Sequence, residues 1–160
     1  MCKIPLLYLI VPFFFTMEKL KIVITRQDVD TFNARYFAAH PRAKNKPIKK
    51  PQHPSLNETM IGNNMKINQM KQNWKDFMLF ILERDGLLDA NIDQCVIEYV
   101  TYFGDNRVHD ADNITPKFIL DGLVAGGFLV ADDINHIREL DIIGDRDKEN
   151  PRIEILVSVV

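Results

Sequence analysis

The sequence predicts an α+β fold, a small mixed sheet with two main helices packed on it. Alternating, β-branched runs typical of strands occur at 20–25, in the middle of the chain and near its end. Apolar residues recur at helical spacing over 66–85, and a shorter helical pattern follows residue 115. The 160 residues suffice for a single domain with its own core.

The first half of the chain contains one predicted strand and two predicted helices. Residues 20–25 alternate as a first strand, and residues 28–39 favour a short helix. The clearest helix covers 66–85, and Gly86 suits its C-terminal end. Its Met and aromatic stripe is interpreted as core rather than as a cofactor-binding surface.

The second half begins with a predicted strand at 94–103, which is apolar on both faces and therefore expected in the middle of the sheet. A helix is expected to follow, with Thr115 as its cap and Pro116 as its first residue. Gly126-Gly127 would end that helix. The remaining predictions are a short strand at 128–130 and a hairpin of 137–143 with 152–160 around the polar loop 145–150.

Residues 1–16 differ in composition from the domain predicted at 17–160. They include an apolar run from Ile4 to Phe15, which is shorter than the roughly 20 residues of a membrane-spanning helix. Three interpretations remain open: translation from upstream of a true start at Met17, a buried or disordered arm, or an export or membrane signal. The only cysteines are Cys2 and Cys95, which favours a reducing, cytoplasmic setting over a disulfide scaffold.

Charge is distributed unevenly along the chain. Residues 1–85 carry 14 Lys and Arg against 7 Asp and Glu, whereas residues 86–160 carry 6 against 15. The segment 40–54 alone has four prolines, five basic residues and no acid, and it looks like an insertion. It is predicted to be an extended or mobile loop, either a solvated linker or a basic arm that contacts phosphates.

Acidic residues cluster at two places in the second half. Asp110 and Asp112 are two residues apart, so an extended chain would project both from one face. Asp132 and Asp133 follow a tight glycine turn that is expected to return them to the same neighbourhood. Such hard carboxylates suit Mg²⁺ or Mn²⁺, although either pair alone is equally typical of helix capping or of a turn.

Near this cluster, two further residues are candidates for chemistry on a phosphodiester. Lys117, in the first turn of the next helix, could stabilise charge that develops on the phosphorus centre. Asn113 could hold a carboxylate or cap the helix. A metal bound nearby would position and deprotonate a water and stabilise the leaving oxygen.

The stretch from His109 to Leu123, followed by Gly126-Gly127-Phe128 and Asp132-Asp133, resembles the RusA-type Holliday-junction resolvases. That family's pattern is Asp-x-Asp-Asn, a lysine in the next helix, an Asp-x-Leu, and an Asp-Asp after a glycine turn. The segment 54–58, Pro-Ser-Leu-Asn-Glu, resembles their N-terminal Pro-Ser-x-Asn, and 150–155 fits their closing strand. The similarity covers roughly 54–160, together with the strand at 20–25.

The resemblance implies a homodimer that performs Mg²⁺-dependent cleavage of branched DNA in recombination and repair, often in a phage or prophage setting. Two symmetric nicks resolve a four-way junction, and a two-fold dimer presents two sites. Asp110, Asp112 and Asp133 then look like metal-binding catalytic carboxylates, Asp132 like an auxiliary metal ligand, and Lys117 like the catalytic lysine. The candidate DNA-binding residues are Asn57, Asn113, Lys66, Lys71, Lys49 and Lys50.

The sequence departs from the family pattern at two positions. His109 stands where many relatives have a basic residue, and Lys117 comes one position later than the pattern, apparently through Pro116. Two hypotheses compete with a junction-resolving nuclease. One is a non-catalytic protein that binds branched DNA on the same fold. The other is a metal-dependent phosphohydrolase of small nucleotides, which would show weak salt dependence of binding.

Overall fold

The computed structural model describes residues 19–160, so the predictions for residues 1–16 lie outside the described part of the chain. Within that part, the α+β class is confirmed. Four α-helices, rather than two main ones, accompany a four-stranded mixed sheet. The elements are β1 (Lys19–Ile24), α1 (Arg26–Ala39), α2 (Leu56–Met60), α3 (Asn64–Asp85), β2 (Cys95–Phe103), a 3₁₀ turn (Ala111–Asn113), α4 (Lys117–Ala125), β3 (Ile137–Arg146) and β4 (Arg152–Val159).

The strand order in the sheet is β1-β4-β2-β3. β2 is internal, as its two apolar faces predict. β4 runs antiparallel to both β1 and β2, and β3 runs parallel to β2 at the edge. The predicted hairpin of 137–143 with 152–160 is therefore wrong, since its two strands lie on opposite sides of β2.

Burial explains why β3 and β4 do not pair with each other. Ile153, Ile155 and Val157 on one face of β4 and Glu154 on the other are all buried, which fits an internal position between two strands. By contrast, β3 is exposed along nearly its whole length and carries five charged residues, a composition that suits a sheet edge. The connection between them crosses the end of β2, where the Asp147 amide donates to the Phe103 carbonyl at 2.9 Å.

The helices begin and end where local signals place them. Thr25 and Asp28 form a capping box at the start of α1, and Asn63 caps α3 through its side chain. α3 ends at Gly86 in the left-handed conformation (φ 67°), as predicted. α3 and α4 pack together so closely that a Cβ at Gly122 would lie 2.5 Å from Met78 Cβ.

Two predictions around α4 need correction. Pro116 occupies the cap position and α4 begins at Lys117, one residue later than expected, while the Thr115 hydroxyl accepts from the Lys117 amide at 3.3 Å. The predicted strand 128–130 is reduced to a single parallel bridge between Leu129 and Ile92. A strand needs further backbone pairs on either side of such a bridge, and the neighbours of Leu129 and Ile92 do not form them.

Segment 40–54 has no regular secondary structure, yet it is held firmly against the domain. Ile48 is buried, and its backbone forms hydrogen bonds in both directions with the side chain of Asn33, at 2.8 and 3.3 Å. Gln52 donates to the Tyr102 carbonyl at 2.9 Å, and Arg26 donates to the Lys49 carbonyl at 2.9 Å. The segment is thus neither a solvated linker nor a free arm, although its lysines remain exposed.

Candidate functional site

A cavity of about 220 Å³ opens beside the C-terminal half of β2. Its floor comes from the inward face of that strand, and its walls come from the end of segment 40–54, from α2 and from the loop that carries the acidic motif. Both basic and acidic side chains reach it. It is lined by Lys50, His53, Ser55, Glu58, Tyr99, Thr101, Phe103, Val108, His109, Asp110, Asn113, Ile114 and Thr115.

Two sequence segments that both contribute to the family resemblance meet at this cavity. The amide of Asn57, in the Pro-Ser-Leu-Asn segment, donates to Asn113 Oδ1 at 2.9 Å. Asn113 is the last residue of the Asp-x-Asp-Asn motif, 56 positions later. The Asn113 side chain thus joins the two segments, and the Asn57 side chain is exposed beside them.

The four predicted metal ligands are not brought together within one chain. Asp110 lines the cavity, whereas Asp112 lies in the 3₁₀ turn, so the two do not leave one extended strand as expected. Asp133 lies near the other end of β2, away from the cavity. Its carbonyl accepts from the amide of Ile137, and Ile137 pairs with Cys95, the first residue of β2. The nine residues of β2 span about 25 Å, at roughly 3.3 Å per residue.

This separation has a simple structural origin. α4 starts near the cavity and runs to Ala125, and the chain then turns at Gly126 and Gly127 beside Asp89 rather than doubling back. The carbonyls of Gly126 and Gly127 accept from the amides of Asp89 and Asn91. The glycine turn therefore carries Asp132 and Asp133 away from Asp110, contrary to the prediction.

The fit of a divalent cation is consequently partial. Within residues 19–160 there is no group of three or more Asp, Glu, His or Cys side chains placed to share one ion. Asp110 and Glu58 are the two carboxylates that line the cavity, with the Asn113 amide nearby. Mg²⁺ typically uses one or two protein carboxylates and completes its coordination with waters and substrate phosphates. Within residues 19–160, one chain thus brings two carboxylates to this cavity and no closed cage for an ion.

Glu58 was not predicted from the sequence as a site residue. It forms a capping box with Ser55 at the start of α2, where its carboxylate accepts from the Ser55 amide at 2.7 Å. Partial burial raises the pKa of Glu58, but the bonds from Ser55 and the charge of Lys50 outweigh it and leave the pKa lowered. Ser-x-x-Glu is a capping signal visible in the sequence, but the place of Glu58 at the same cavity as Asp110 follows only from the fold.

His53 is a second residue that the sequence did not single out. Its ring lies among the aromatic rings of Trp74 and Phe118 and is only 7 % exposed. The Phe118 amide donates to Nε2 at 3.0 Å, so the ring is neutral, and Nδ1 donates to the Pro54 carbonyl at 2.6 Å. His53 thus caps α4, whose own cap residue, Pro116, makes no side-chain cap bond.

The environment of His53 resists protonation. Burial lowers the pKa of His53 to about 4, and the Pro54 carbonyl, Glu58 and Asp121 oppose that shift only in part. A proton on Nε2 would also remove the acceptor of the Phe118 amide. His53 is therefore a positioning group for the start of α4 rather than a proton-transfer group.

Thr101 lies at the floor of the cavity, with its side chain on the buried face of β2. Burial raises the pKa of the neighbouring Tyr99, and the contact with the Thr101 hydroxyl opposes that shift only in part. The Tyr99 phenol therefore stays neutral.

The predicted basic site residues occupy different surroundings. Lys50 lines the cavity, and Lys117 is exposed at the first position of α4. Lys49 and Lys66 are also exposed. Lys71 is half-exposed and forms an ion pair with Asp121 of α4 at 3.2 Å, so it contributes to helix packing as well as to surface charge.

The histidines beside the acidic motifs form local pairs. His109 stacks on Phe103 with 3.7 Å between ring centroids, and its Nε2 contacts Asp105 at 2.7 Å. At the other end of β2, His136 Nδ1 contacts Asp133 at 2.7 Å. That hydrogen bond lowers the pKa of Asp133, so this carboxylate is held ionised.

Comparison of the chain with models of known protein families gives no match, and comparison with curated proteins gives none either. Within residues 19–160, no helix is long and apolar enough to cross a membrane.

Proposed function

We propose that this protein is an Mg²⁺-dependent, structure-selective endodeoxyribonuclease that resolves Holliday junctions and related branched DNA. The observation that carries the proposal is the contact between Asn57 and Asn113 at the cavity of Asp110. The two segments that carry the family resemblance are distant in sequence but lie at one site. If the resemblance were accidental, there would be no reason for them to meet. Mn²⁺ is an alternative metal for the same oxygen ligands.

The residues at the cavity have complementary roles in this proposal. Asp110 and Glu58 would hold the cation through their carboxylate oxygens, and substrate phosphate would supply further oxygen ligands. The bound cation would supply an activated water and charge stabilisation at the phosphate. Lys117 and Lys50 would bind phosphate oxygens, and His53 holds the start of α4, where Lys117 lies.

The proposed homodimer accounts for the separation of the carboxylates. Asp110 and Asp133 lie at opposite ends of β2, so a two-fold partner could bring its Asp133 to the cavity that one chain leaves incomplete. Mixing the inactive variants Asp110→Asn and Asp133→Asn tests this arrangement. Shared sites regenerate one intact site per mixed dimer and restore nicking, whereas sites built from single chains remain inactive in the mixture.

The deciding experiment for the activity is a cleavage assay on labelled four-way junctions, flaps, forks and linear duplexes, with Mg²⁺ and with chelator. We expect paired nicks in junctions only with the metal. Asp110→Asn should abolish cleavage and retain junction binding, and the matched variant Asp141→Asn, at an exposed position on edge strand β3, should cut normally. Cleavage by Asp110→Asn at the wild-type rate would refute the proposal.

The separation of the acids also favours a second candidate, a non-catalytic protein that binds branched DNA on the same fold. Such a protein needs the basic surface of segment 40–54 but no completed metal site. Calorimetric titration separates the two candidates. Mg²⁺ binding that is strengthened by junction DNA supports the nuclease, and junction binding that is indifferent to Mg²⁺ supports the binder. In either case we place the protein in the cytoplasm, in recombination and repair.

A further inference from the structure

The turn between α2 and α3 exposes an unusual group of apolar side chains. Met60 is 70 % exposed, Ile61 78 % and Met65 81 %. They follow directly on Ser55 and Glu58, which line the cavity. We call these three residues the apolar tip. Single exposed apolar residues are common, but three large ones within six positions beside a candidate site are not.

The apolar tip is held by ordered backbone on both sides. The Ile61 amide donates to the Asn57 carbonyl at 2.9 Å, which ends α2. Asn63 caps α3 two residues later, and partly buried Ile67 packs on the core. The side chains therefore project from a fixed turn, and their exposure does not result from a loose end.

The stretch of sequence that contains the apolar tip is strongly basic. Residues 40–75 contain eight Lys and Arg residues and one acid, Glu58. Isologous packing of this surface on a second copy would place like charges together. Nucleic acid matches both the basic and the apolar residues. Lysines can bind its phosphates while the apolar side chains contact its bases.

We propose that Met60, Ile61 and Met65 insert at the branch point of a DNA junction and hold its bases unstacked, while the surrounding lysines bind the flanking phosphates. Apolar wedges of this kind enter base steps in other DNA-binding proteins, at a cost from unstacking. That cost is smaller where pairing and stacking are already interrupted. Insertion would thus give preference for branched over continuous duplex without reading sequence. The inference rests on the proposed function for its DNA substrate but not for cleavage.

The test uses the full chain, a chelator to prevent cleavage, and a four-way junction with 2-aminopurine beside the branch point. Wild-type binding should raise the 2-aminopurine fluorescence, because the base becomes unstacked. The triple variant M60S/I61S/M65S should lose that rise and about tenfold or more of its preference for the junction over linear duplex. Its affinity for linear duplex, set by the lysines, should remain.

Two control variants test whether the effect is specific to the position of the apolar tip and to its apolar character. Leu88→Ser alters an exposed apolar residue beyond the other end of α3 and should change neither readout. The apolar replacement M60L/I61L/M65L should restore both readouts. Because the changed side chains are exposed, the triple variant should melt within a few degrees of wild type.

Four results would overturn the inference. Junction preference and fluorescence retained in the triple variant would exclude a wedge, and so would wild-type binding without any fluorescence rise. Loss of dimerisation in the triple variant would assign the apolar tip to a second copy. Binding to vesicles of phosphatidylcholine and phosphatidylserine that the triple variant loses, with DNA binding intact, would assign it to a lipid surface.

The inference and the proposed nuclease can fail separately. A protein that opens the junction in chelator but never cuts with Mg²⁺ would retain the wedge and lose the nuclease. Conversely, normal cleavage by the triple variant, with unchanged junction preference, would retain the nuclease and lose the wedge.

Discussion

Acidification should destabilise this protein through one buried residue, His53. The unfolded chain binds a proton at this histidine near its ordinary pKa of 6.5, whereas burial lowers the folded value to about 4. Between these values the unfolded state binds more protons, so stability falls as pH falls. The loss grows through this window and is complete below pH 4. The difference between a pKa of 6.5 and one of about 4 corresponds to about 3 kcal/mol, because a tenfold change in proton affinity is worth 1.36 kcal/mol.

The assay is urea unfolding of the wild type and of His53→Gln at pH values from 4 to 8. Glutamine supplies an oxygen that can accept from the Phe118 amide, and it does not titrate in this range. The free energy of unfolding should therefore fall more steeply with acid in the wild type, by up to about 3 kcal/mol at pH 4. His40→Gln, at an exposed histidine, should follow the wild-type curve.

Carboxylates also titrate at the acid end of this range, but their contribution is common to both proteins and cancels in the difference. Parallel curves for wild type and His53→Gln would refute the argument, because they would mean that His53 binds protons equally in both states. A wild-type protein that gains stability on acidification relative to His53→Gln would show a raised pKa and would contradict the burial seen here.

Four further substitutions, the last two compared with each other, test the packing and the site. Gly122→Ala forces a Cβ to within 2.5 Å of Met78 Cβ and should cost about 1–3 kcal/mol, read as a lower Tm; an unchanged Tm would contradict the close α3–α4 packing. Asn113→Ala removes the acceptor of the Asn57 amide and should cost about 1 kcal/mol in urea and slow junction cleavage. Lys71→Ala should weaken junction binding less than Lys50→Ala, measured by salt-dependent titration, since Lys71 is ion-paired.

The sequence predicted best those elements whose signals are local. The capping side chain of Asn63 and the left-handed Gly86 lie at the ends of α3, close to the predicted boundaries of 66 and 85. The two apolar faces of 94–103 predicted an internal strand, and β2 is internal. Periodicity, caps and glycine act through neighbouring residues, so a single sequence contains them.

Some features of the candidate site were visible in the sequence, and others arise only from folding. The sequence contained the Asp-x-Asp-Asn and Pro-Ser-x-Asn segments, and the structure places both at one cavity through the Asn57–Asn113 contact. The sequence contained no signal that His53 would cap α4 from 65 positions away, or that Glu58 and Asp110 would line the same cavity. These contacts join elements that meet only when the chain is folded.

By itself, then, the sequence determined the α+β class, the main helices and strands, and which residue types were available for metal and phosphate. The tertiary structure decided how β3 and β4 pair, that segment 40–54 is anchored, and that Asp133 lies near the end of β2 opposite to the cavity. The physical reason is that strand pairing is non-local. β4, which is buried or half-buried along its whole length, takes the internal position, and β3 remains at the edge because its charges need water.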